Sequence, residues 1–125
     1  MDKVNKALEK EIDLLKDKKV EAENYLKLDK AELNKVAKEN GVSFTYDAEG
    51  NIANYSEQMS KLWAEQDAAI NAANADGDVS DTEQEKLDKI KEKIDVVTEA
   101  LKQYDETREL IEDLDNELVE KVYEI

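Results

Sequence analysis

The sequence predicts a mainly α fold, an elongated antiparallel helical coiled coil or three-helix bundle with a small β-hairpin between helices 1 and 2. Charged residues make up 41% of the 125-residue chain and apolar residues 40%, the balance of amphipathic helices. Proline is absent and glycine occurs three times, so long stretches hold no helix breaker. Through most of the chain apolar residues recur three and four apart.

The first element is a helix over 2–39. Val4, Leu8, Ile12, Leu15, Ala22, Leu26, Leu33 and Val36 mark one face of it. Asn40-Gly41 ends it, because Gly41 tolerates the left-handed conformation after a helix and Val42 can then fold back onto the last turn. Over 42–55 the period shortens to two, with Phe44, Tyr46, Ile52 and Tyr55 grouped around a turn. This pattern predicts a β-hairpin closed by Ala48, Glu49 and Gly50, with Asp47 facing Asn51 and Tyr46 facing Ile52. Its apolar side would cap the end of the helical bundle, since an isolated hairpin is marginal in water.

A shorter, alanine-rich helix over 57–74 follows, with Ser56 as its expected N-cap. Met59, Leu62, Trp63, Ala69, Ile70 and Ala73 form its apolar stripe, in which Trp63 reads as core. After a turn at 75–80, Ser80 and Glu83 have the spacing of a capping box and start the last helix, 81–124. Here Leu87, Ile90, Ile94, Val97, Leu101 and Tyr104 alternate at +3 and +4, a heptad seam. Continuing the frame puts Arg108 and Asp115 at core positions before Ile111, Leu118, Val122 and Ile125 resume the apolar run. Polar residues in a seam specify register at some cost in stability. The unequal helix lengths leave parts of the first and third helices to pair with each other, with another copy, or with further chain. The reading is therefore of a single helical module, 1–125, as a fragment of a longer protein.

Composition excludes several classes of function. A net charge of −15, with lysines scattered among acids, repels phosphate backbones, so direct nucleic-acid binding is not expected. There is no apolar run long enough for a membrane span and no signal-like apolar region in the charged N-terminus, so the segment is expected to be soluble, without a membrane contact. Histidine and cysteine are both absent, which removes the commonest general base, the commonest transition-metal ligand and the thiolate nucleophile. No catalytic residue and no cofactor are expected, and an enzyme is the least favoured class. The expected partners are proteins: self-association into an oligomer, or other segments of a parent chain.

One loop carries a competing reading. With Gly77 at the sixth position of an EF-hand loop, Asn74 and Asp76 fall at positions three and five, Val79 at eight, Ser80 at nine and Glu83 at twelve, and a calcium site would use Asn74, Asp76, Asp78 and Glu83. Ala72 occupies the first position, where the loop most depends on a carboxylate. The expectation is therefore an ordinary turn followed by a capping box. The alternative is a calcium-responsive helical adaptor with a degenerate EF-hand-like loop at 72–83.

Two phrases carry a family resemblance. G-V-S-F-T-Y-D-A-E-G-N-I-A-N-Y-S-E at 41–57 and L-K-Q-Y-D-E-T-R-E-L-I-E-D-L at 101–114, set among long charged helices, resemble the helical segments of tape-measure proteins of tailed phages. The resemblance spans most of the chain, and its specific part is Phe44 to Tyr55. It implies a structural role without catalytic or cofactor residues. The parent protein would occupy the tail-tube lumen, set tail length by its own length, and contact tail proteins. It further implies a place in the virion after assembly in the bacterial cytoplasm; without it, the expectation is a soluble cytoplasmic protein.

Overall fold

A computed structural model describes residues 2–75 and 77–124. Three helices are present: α1, Asp2–Glu39; α2, Tyr55–Asn74; and α3, Asp81–Glu124. The chain divides into two compact units. The terminal unit comprises Met1–Ala31 with Lys102–Ile125, and the central unit comprises Glu32–Leu101.

In the terminal unit the two helices run antiparallel, since Glu11, Lys19 and Asp29 on α1 meet Lys121, Asp115 and Thr107 on α3 in descending order. Their seam buries Ile12, Leu15, Ala22, Tyr104 and Leu114. Leu15, Ala22 and Leu114 form its core cluster, with Ile111 and Leu118 packed against them. Two helices give each apolar side chain partners on one side only, so this core is thin.

The central unit is thicker. It buries Leu33, Ala37, Val42, Phe44, Met59, Leu62, Ala73, Ile90, Val97, Ala100 and Leu101, contributed by all three helices and by the loop after α1. Leu33, Met59, Leu62 and Val97 are fully enclosed. The end of α1 behaves as its sequence predicts. Gly41 adopts φ +80°, the amide of Val42 donates to Ala37 O at 2.9 Å, and that of Gly41 to Lys38 O at 3.3 Å. This is a Schellman motif, and burial of Val42 supplies the hydrophobic contact that accompanies it.

The expected β-hairpin over 42–55 is not formed. None of the described residues lies in a strand, and one isolated antiparallel bridge joins Tyr46 to Ile52. The anticipated facing residues and turn are present. Asp47 N–H donates to Asn51 O at 2.9 Å, Gly50 N–H donates to Asp47 O at 3.1 Å, and Gly50 takes φ +85°. Extension of the ladder is stopped by the next helix. α2 begins at Tyr55, two residues earlier than expected, with Asn54 rather than Ser56 at its N-cap position. Asn54 then replaces a strand with its side chain. Its Oδ1 accepts from Thr45 N–H at 2.8 Å and its Nδ2 donates to Ser43 O at 2.8 Å.

The stripe of α2 is also narrower than expected. Met59, Leu62 and Ala73 are buried, whereas Trp63 is 42% exposed and Ile70 39%. Trp63 is therefore a surface residue and not core. In α3 the heptad seam holds, with Ile90, Val97, Leu101 and Tyr104 buried and Leu87 and Ile94 half-buried.

Candidate functional site: polar layers of the helical seam

Besides the Lys93–Glu65 pair at 3.4 Å between α3 and α2, polar side chains placed between elements form one cluster in each unit. In the terminal unit they interrupt the apolar seam. The α1 pattern Ile12, Leu15, Ala22, Leu26, Leu33 and Val36 leaves gaps at 19 and 29, where Lys19 and Asp29 stand. Both are half-buried and both find a partner on α3. Lys19 Nζ lies 2.5 Å from Asp115 Oδ1, and Thr107 Oγ1 donates to Asp29 Oδ2 at 2.5 Å. A third pair, Lys121 with Glu11 at 3.1 Å, sits at the outer end.

Position and electrostatics agree. The hydrogen bond to Asp115 raises the Lys19 ammonium above its ordinary value, against the opposing effect of burial. Glu11 likewise raises Lys121, first through a hydrogen bond and then through its charge. The sequence placed Asp115 and Arg108 at core positions. Asp115 is half-buried and paired. The Arg108 guanidinium lies over the buried Tyr104 ring at 5.7 Å from its centroid, a cation–π contact.

Sequence reasoning missed Lys19 and Asp29. The signal was available as the two gaps in an otherwise regular heptad frame.

In the central unit the polar groups fasten the loop to helices. Gln58 is buried, and its Oε1 accepts from Ser43 N–H at 3.0 Å. Tyr46 OH donates to Asn34 Oδ1 at 2.6 Å. Asp47 Oδ1 accepts from the amides of Glu49 and Asn51, each at 2.9 Å. Those bonds, the one from Asn51 foremost, hold the Asp47 carboxyl below its ordinary value.

Of the residues proposed for calcium, Asn74 and Glu83 lie at the end of α2 and in the first turn of α3. Asp78 is exposed, while Asp76 lies outside the described residues. Glu83 is committed to the capping box: its Oε1 accepts from Ser80 N–H at 3.1 Å, and its own N–H donates to Ser80 Oγ at 3.2 Å. Among the described residues there is no group of three acids placed to hold a metal ion.

Two open grooves flank the seam of the terminal unit. One, of about 420 Å³, is lined by Lys16, Leu118, Val119, Val122 and Tyr123. The other, of about 260 Å³, is lined by Glu11, Leu14, Leu15, Lys18, Glu117 and Lys121. Both are shallow and suit side chains of another protein surface better than an enclosed small molecule.

No family model, curated protein or solved structure matches this chain. Chemically, the polar layers fix which residues of α1 face which residues of α3, because a slip would leave Lys19 and Asp29 against apolar neighbours. Among the described residues no helix is long and apolar enough to cross a membrane.

Proposed function

We propose that this chain is a non-enzymatic structural module, a coiled-coil segment of a phage tail tape-measure protein. The observation that carries the mechanical part is the register-fixed pairing of α1 with α3. Lys19–Asp115 and Thr107–Asp29 spend their hydrogen-bonding capacity between helices. The phage-tail part rests on the phrases at 41–57 and 101–114. The turn within the first phrase is held by Asp47, Asn54 and Gln58, so those polar residues have a structural reason to stand where they do.

In this reading the segment contributes length inside the tail tube, contacts tail proteins, and resides in the virion. The test is an in-frame deletion of the segment from the phage that carries it. If all 125 residues are extended as helix during assembly, the tail shortens by about 190 Å. Electron micrographs showing tails of unchanged length would reject the proposal.

A further inference from the structure

The two-helix unit leaves apolar side chains uncovered, and their arrangement identifies what covers them. Leu14, Val20, Tyr25 and Leu28 of α1 and Leu110, Val119, Val122 and Tyr123 of α3 are each at least half exposed, and of these Leu14, Tyr25, Leu28 and Leu110 share one side of the helix pair. By contrast, the exposed large apolar residues of the central unit, Tyr55, Trp63, Ile70, Val79 and Val96, are all at 45% or below. At 100° per residue Leu14, Tyr25 and Leu28 fall within an arc of about 60° on α1. Leu110 shares its side of α3 with Glu117 and Lys121, which line the same groove as Leu14. The register set by Lys19–Asp115 and Asp29–Thr107 puts Tyr25 level with Leu110. These four residues therefore form one apolar face spanning both helices.

The charges lining the groove at the Leu14 end of that face can pair across a two-fold axis. The groove has two lysines, Lys18 and Lys121, and two glutamates, Glu11 and Glu117, around Leu14 and Leu15. A two-fold axis parallel to the helices lays α1 of one copy along α3 of the other, antiparallel and at the same level. Lys18 then meets Glu117 of the second copy, and Tyr25 and Leu28 meet its Leu110. About 21 residues of each helix are paired, a face of about 32 by 18 Å, or roughly 570 Å² per copy, near the lower end of specific protein interfaces. Among the described residues the opposite groove offers no such match: its apolar residues belong to the last turns of α3, beside the single charge of Lys16.

We infer that the terminal units of two copies of this chain associate through the Leu14, Tyr25, Leu28 and Leu110 face to form a four-helix bundle. This inference stands apart from the phage-tail reading.

Sedimentation equilibrium of the full chain, loaded at about 10–200 μM to bracket a micromolar dissociation constant, tests it. The expected result is a dimer. Leu28→Glu with Leu110→Glu should weaken it about thirtyfold or more, the loss associated with central interface residues, while helical circular dichroism is retained. Val119→Glu with Tyr123→Glu, on the opposite groove, should leave the dimer intact. A wild-type chain that is monomeric throughout this range overturns the inference. So does a dimer that survives Leu28→Glu with Leu110→Glu, or one that is lost with Val119→Glu and Tyr123→Glu.

Discussion

Lys19 and Asp115 meet at 2.5 Å between the two helices of the terminal unit, each at a heptad position that its neighbours would fill with an apolar side chain. Such a pair trades stability for specificity of pairing. Replacing both by leucine should raise the thermal midpoint, because apolar contact replaces two partly desolvated charges. It should also allow alternative alignments, visible as extra amide resonances in the NMR spectrum. A lower midpoint with one set of resonances would contradict this account.

The pH response has opposite signs at the two ends of the scale. Lys19 and Lys121 are raised above 10.5 by Asp115 and Glu11. Their stabilising contribution is complete below about 10.5, the unfolded value, and disappears as pH rises through the higher folded values. Asp47 is lowered below 3.8 by the bonds from Asn51 and Glu49. Its contribution is present above that value and disappears as pH falls through the folded value. Protection factors, corrected for the intrinsic pH dependence of amide exchange, should fall at Glu49 and Asn51 in acid and along the α1–α3 seam in alkali.

Gly41 is needed for its conformation and not for lack of space. It sits at φ +80°, and apart from its chain neighbours no described residue has an atom within 4 Å of where a Cβ would stand. Gly41→Ala should destabilise by about 1–2 kcal/mol, the cost of the left-handed region for an L-residue, without moving neighbouring side chains. Chemical denaturation would measure the loss, and an unchanged midpoint would disprove it.

Leu33 and Trp63 provide a contrast within the central unit. Leu33 is fully buried and Trp63 is 42% exposed. Leu33→Ala should cost about 2–5 kcal/mol through lost contacts and a residual cavity. Trp63→Ala should cost less than about 1 kcal/mol, and wild-type tryptophan emission should already be red-shifted toward that of a solvated indole. Blue-shifted emission would show that Trp63 is enclosed after all.

Calcium should leave the chain unchanged, because Glu83 already closes the N-terminus of α3 with Ser80. Titration calorimetry in chelator-treated buffer should show no binding tighter than about 1 mM, the weak end of EF-hand affinity. Ser80→Ala should destabilise by about 1 kcal/mol through the lost cap. Tighter calcium binding would revive the adaptor reading.

Features set by neighbouring residues were readable from the sequence. The bounds of α1 and α3, the Gly41 cap, the Ser80–Glu83 box and the facing of Tyr46 and Ile52 all depend on residues close in the chain. Features decided by competition were not readable. A period of two over 42–55 predicts a ladder, yet Asn54 serves both as N-cap position and as a surrogate strand partner, and the helix prevails. Trp63 lies on the apolar stripe of α2 by count, but of that stripe Met59, Leu62 and Ala73 are the residues buried where α2 is covered. Lys19 and Asp29 looked like gaps because their partners are far along the chain, Thr107 being 78 residues from Asp29.

The same polar layers govern how such a protein can change length. An insertion in α1 alone would pull Lys19 and Asp29 out of step with Asp115 and Thr107, whereas matched seven-residue insertions in both helices keep every facing pair. Growth would then proceed in paired increments of about 10 Å, each adding a heptad to both sides of the seam.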